Sequence, residues 1–80
     1  MIAELETVVL TAELPEHGLK PGDVGTVVLV HRYGVGYEVE FTTLAGETIA
    51  VVSLSAAQVR PIARGEIAHV RAVDNNRVSP

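Results

Sequence analysis

The sequence predicts a small all-β domain of five antiparallel strands, on three observations: its β-branched content, one strictly alternating segment, and turn chemistry at short intervals. Val, Ile and Thr number 14, 4 and 6 among the 80 residues, and their branched Cβ atoms favour a pleated strand over a helix. Tyr37-Glu38-Val39-Glu40-Phe41 alternates at the period of a half-buried strand. Tyr37, Val39 and Phe41 are expected inside, with Glu38 and Glu40 outside. A chain this short buries only about 60% of the surface its unfolded form exposes. With no cysteine to form a disulfide, oligomerisation is the remaining common remedy.

Thr7-Val8-Val9-Leu10-Thr11 reads as the first strand, ending where Glu13-Leu14-Pro15-Glu16-His17-Gly18 begins. The loop that follows carries Leu14 and Leu19 as lids over one end of the core. It closes on Lys20-Pro21-Gly22-Asp23, where proline fixes φ and glycine is free to take a positive φ, the signature of a type II turn. Gly25 to Arg32 is a long apolar second strand, and Tyr33-Gly34-Val35-Gly36 is the tight connection to the third. Leu44-Ala45-Gly46-Glu47 turns the chain into a fourth strand, Thr48 to Leu54. Ser55 with Gln58 three residues later is a capping box for one helical turn. Val59-Arg60-Pro61-Ile62 is a short final strand, confined by Pro61 to an edge or a strand end. A long first loop, two tight hairpins and one helical turn between five strands are the order of an SH3-like barrel over residues 1–62.

The extension 63–80 has no single reading. Ile67 to Val73 fits a strand by composition and a short helix by the spacing of Ile67, Val70 and Val73. Asp74-Asn75-Asn76-Arg77 reads as a turn before a frayed end.

Six Lys and Arg against ten Asp and Glu give a formal charge of −4, and the basic residues are scattered. Non-specific affinity for nucleic acid comes mainly from neutralising phosphates, so this balance argues against it. No apolar stretch approaches the roughly 20 residues that span a bilayer, and Met1 to Glu6 lacks the basic and apolar regions of a signal peptide. A cytoplasmic protein is expected.

Candidate chemistry is sparse. His17, His31 and His69 have no second ligand at a spacing typical of zinc, and no metal or cofactor is expected. His31 would lie across from Glu38 if the second and third strands pair through a Gly34-Val35 turn, forming an exposed cross-strand ion pair. Glu38 and Glu40 share one face and could serve acid/base work if a pocket raised one pKa, but no nucleophile, oxyanion loop or metal ligand accompanies them. Ser53, Ser55 and Ser79 lack the glycine-flanked elbow of a hydrolase. The glycines form no phosphate cradle. Tyr33 and Tyr37 without tryptophan make a poor polyproline groove. The expectation is a non-enzymatic, self-associating interaction module, with a partner encoded nearby as one option; the alternatives are a nucleic-acid binder and a small enzyme using Glu38 or Glu40.

Three motifs carry a resemblance: Asp23-Val24-Gly25-Thr26-Val27-Val28, Tyr37 to Phe41, and Gly46-Glu47-Thr48-Ile49-Ala50-Val51-Val52 running to Gln58-Val59-Arg60-Pro61. In these the chain resembles a family of small stand-alone bacterial proteins catalogued as a domain of unknown function. The resemblance implies an SH3-like barrel and no established activity. A weaker likeness joins Gly22 to Val28 with the KOW segment of ribosomal and transcription-elongation proteins, whose shared content is a glycine turn feeding a barrel strand. It makes the nucleic-acid alternative a KOW-like binder.

Register yields the last expectation. With Gly34-Val35 and Ala45-Gly46 as two-residue loops, Val30 opposes Val39, Val28 opposes Phe41, Phe41 opposes Ala50 and Val39 opposes Val52. Val28, Val30, Val39, Phe41, Ala50 and Val52 then lie inside. Val27, Leu29, Ile49 and Val51 fall on the outer face around Glu40, an exposed aliphatic patch of the kind that marks an interface. A dimer or a dimer of dimers is expected.

Overall fold

The computed structural model describes residues 2–73. Five strands, β1 (Thr7–Leu10), β2 (Val24–His31), β3 (Gly36–Thr42), β4 (Thr48–Ser55) and β5 (Val59–Pro61), form one antiparallel sheet in the order β4-β3-β2-β1-β5. That is the strand order of an SH3-like barrel. The two edges, β4 and β5, follow one another through the single 3-10 turn Ala56–Gln58, where the expected capping box forms and Gln58 Oε1 accepts the Ser55 amide at 2.9 Å.

The core is aliphatic with two aromatics. Phe41, Leu10, Val8, Val27 and Val39 are its most enclosed side chains, and Tyr37, Leu54 and Val59 complete the layer. Leu14 and Leu19 are buried as lids, joined by an isolated bridge at either end of the 3-10 turn Pro15–His17. The turn at Pro21-Gly22 has the expected form, with Gly22 at φ +97 and the Asp23 amide donating to the Lys20 carbonyl at 3.0 Å. Gly25 has a different role. A Cβ there would sit 2.6 Å from Val39 Cγ1 and 2.9 Å from Phe41 Cε1, so β2 crosses β3 where only a hydrogen fits.

Two corrections concern register. Val27 opposes Val39 and Leu29 opposes Glu38, which leaves Val28 as the extra residue of a β-bulge. Val27 is therefore fully buried, not on the outer face, and Val28 is exposed, not inside. The expected pairs Val30–Val39 and Val28–Phe41 do not form, because beyond the bulge Val30 opposes Tyr37; Val30 still packs on the core and Leu29 still points outward, as expected. On β4 the expected pairs Phe41–Ala50 and Val39–Val52 form. The next pair is Thr42–Thr48, so Ile49 is a second extra residue, and it packs against the core instead of joining the outer face.

The hairpin tip differs as well. His31 pairs with Gly36, and the connection is the four residues Arg32–Val35. Arg32 at φ 46 and Tyr33 at φ 59 take the left-handed conformation, and the Gly34 amide bonds the His31 carbonyl at 3.0 Å. Positive φ at both central positions is what the twist of a tight hairpin requires.

After β5 the described residues form neither strand nor helix. A turn at Gly65, φ +85, leads into an irregular arm through Val73. The proposed turn at Asp74 to Arg77, and Ser79, lie outside the described residues.

Candidate functional site

The outer face of β2, β3 and β4 gathers most of the side chains singled out from sequence. Glu38 stands between Leu29 and Ser53, and Glu40 between Thr26 and Val51. His31 reaches Glu38 diagonally, Nε2 to Oε2 at 2.7 Å, so the expected pair forms although its partners are not directly opposite. The Ser53 hydroxyl donates to the same carboxylate oxygen, and the Thr48 hydroxyl donates to Glu40 Oε2 at 2.8 Å. The bond from Ser53, then that from His31, holds the Glu38 carboxyl below its usual range. A carboxylate stabilised in this way is a weaker base, the opposite of what proton abstraction needs.

The aliphatic set on this face is smaller than the register argument implied. Leu29, 44% exposed, and Val51, 54% exposed, remain outward; Val27 and Ile49 do not. Val28, 40% exposed at the bulge, joins Leu29 and Val51, so the face is a mixed surface with three aliphatic members. Among the described residues no three His, Asp or Glu side chains come together as a metal site.

A second surface had no local signal in sequence. The arm after β5 is held by polar contacts at both ends. Arg60 forks onto Glu66, Nη1 to Oε1 at 2.9 Å and Nη2 to Oε2 at 2.6 Å, and the Ala63 amide donates to Glu66 Oε1 at 2.6 Å. These bonds, that of Arg60 foremost, pull the Glu66 pKa down to about 2. Farther along, Arg71 bonds both Asp23 oxygens, with Nε to Oδ1 at 2.8 Å, and Nη2 reaches the Gly18 carbonyl at 3.1 Å. Partial burial works to raise the Asp23 pKa, but the Arg71 bond, the Lys20 amide and the two cationic charges outweigh it and hold the carboxyl below its usual value.

Between these ties the apolar side chains of the arm are not buried. Ile67 is 92% and Val70 73% exposed. Arm and sheet enclose an open groove of about 1300 Å³, whose walls include Val24, Leu44, Ile49, Ile62, Ile67 and Val70. Of these, sequence reading flagged Ile49 as an interface residue and Ile67 and Val70 as an ambiguous element. The Arg71–Asp23 clasp spans 48 residues, a separation at which local pattern carries no information.

The profile of a family described as a domain of unknown function, DUF4926, matches residues 4–61, and the chain belongs to that family. No curated protein and no solved structure matches it significantly.

Proposed function

We propose that this member of the DUF4926 family is a cytoplasmic, non-enzymatic interaction module that associates with copies of itself. The observation that supports the reading is the apolar side chains of the arm, exposed over an apolar groove while both ends of the same segment are tied to the domain by ion pairs. Ordering a segment costs conformational entropy, which burying its apolar side chains against another surface would offset. Leu29 and Val51 add to the exposed aliphatic area.

An enzymatic role for Glu38 or Glu40 gains no support, since both carboxylates already accept bonds from hydroxyl or imidazole neighbours and sit on an open sheet face. For a KOW-like nucleic-acid role, two of the six basic side chains, Arg60 and Arg71, are committed to internal carboxylates.

Light scattering at micromolar concentration tests the reading. The full chain is expected to give the mass of a dimer or tetramer, and Ile67→Glu to shift it toward the monomer. A monomeric mass for the unmodified chain at every concentration rejects self-association.

A further inference from the structure

We infer that a second copy joins through the free edge of β4, pairing antiparallel with its own β4 across a two-fold axis. This rests on the self-association reading and names the surface it uses.

The two edges of the sheet are built differently. β5 has three residues, with Arg60 at its centre and Pro61 at its end. Short length, charge and proline are the devices by which edge strands resist pairing. β4 has none of them: Thr48–Ser55 is eight residues without a charge or a proline, with β3 on one side and, among the described residues, no strand on the other.

The core is also open along this edge. Ala50 and Val52 oppose Phe41 and Val39 and face the same interior. Phe41 and Val39 are essentially fully buried, whereas Ala50 and Val52 remain partly exposed. One more strand beside β4 would cover them. The groove beneath the arm reaches the same edge, since Ile49 is one of its walls.

An identical strand meets the requirements of this edge. Two uncharged strands bring no like charges into opposition, although each copy carries −4 overall. Glu38 and Glu40 lie one strand inward, bonded to Ser53 and Thr48 of β4 itself. Register follows from the faces. Directly opposed residues share a face, so an inward residue must meet an inward one and the axis must pass through a residue. An axis through Val51 would extend the pairing to Thr48 and include the extra residue Ile49. An axis through Val52 uses Ala50 to Leu54, which is free of the bulge. Val52 then meets its own copy, and Ala50 meets Leu54.

Residue-resolved amide hydrogen exchange, read beside light scattering on the full chain, tests this. In a lone sheet every second amide from Ala50 to Leu54 points away from β3 and exchanges fast. In the associated protein both alternate sets are expected to be protected, the outward set by more than about tenfold, and dilution to monomer should release the outward set only. An associated protein whose outward set exchanges fast would place the interface elsewhere and leave self-association standing. Outward amides that stay slow in the monomer would also overturn the inference, because the edge would then be covered within one chain. A chain that is monomeric throughout removes both this inference and the reading on which it rests.

Discussion

β3 and β4 pair along nearly their whole lengths and face the same interior, and β4 is the more aliphatic, with Ile49, Val51, Val52 and Leu54 against Val39 alone, yet it is β3 that is the more deeply buried. β3 sits between two strands and buries Tyr37, Val39 and Phe41; β4 has one neighbour among the described residues and buries only Leu54. Composition is therefore not what decides depth in this domain. Position in the sheet does, because an interior strand has its core-facing side chains flanked on both sides and an edge strand does not.

The sharpest way to break this contrast is at its deepest point. Phe41→Ala should cost about 3–5 kcal/mol in urea unfolding, since the cavity forms among residues that cannot collapse into it. That is a large share of the stability available to a domain of this size. Gly25→Ala approaches the same region from the other side, adding one carbon within 3.0 Å of Val39, Phe41 and the Glu40 carbonyl. The neighbouring backbone cannot yield cheaply, and a loss of about 1–3 kcal/mol is expected. On β4 the equivalent truncation should be milder. Val52→Ala is expected to cost about 1 kcal/mol in dilute monomer, because part of the removed surface was already in water. A loss equal to that of Phe41→Ala would mean the edge is as enclosed as the centre, and the contrast would fail.

Acid should separate the arm from the sheet with the smallest effect on overall stability. Among the described residues the core holds no buried charged group, whereas the arm is tied by two carboxylates of lowered pKa. A carboxyl depressed in the folded state stabilises it at pH above the ordinary value and loses that contribution as pH falls. For Glu66 the window runs from 4.5 down to about 2, and Asp23 acts in the same direction. The methyl resonances of Ile67 and Val70 should move across this window before those of Val39 and Val27 change. Simultaneous movement would show that the arm and the core melt as one unit.

Much of the fold is legible in the sequence, and the misread parts share a cause. Pro21-Gly22, the Leu14 and Leu19 lids and the His31–Glu38 pair each rest on residue types whose chemistry is local. Strand β3 declares its faces because charge alternates with aliphatic and aromatic side chains. Val27-Val28-Leu29-Val30 and Ile49-Ala50-Val51-Val52 are aliphatic throughout, so nothing in them marks which residue the partner strand skips. Both bulges fall in these runs, and the two misplaced interface residues, Val27 and Ile49, lie at them. The arm was missed for a different reason: its anchors, Asp23 and Gly18, lie about fifty residues upstream of Arg71 and are recognisable only in three dimensions.

The bulge at Val28 also divides β2 into positions that can and cannot be deleted. Val28 has no opposite number on β3, so a chain lacking it would still set Val27 against Val39 and Leu29 against Glu38. What such a chain would give up is the local bend and added twist that a bulge supplies. Removing Thr26 instead would move Gly25 away from the crossing that admits no Cβ. Val28 is thus a place where chain length can change without rewriting the pairing around it.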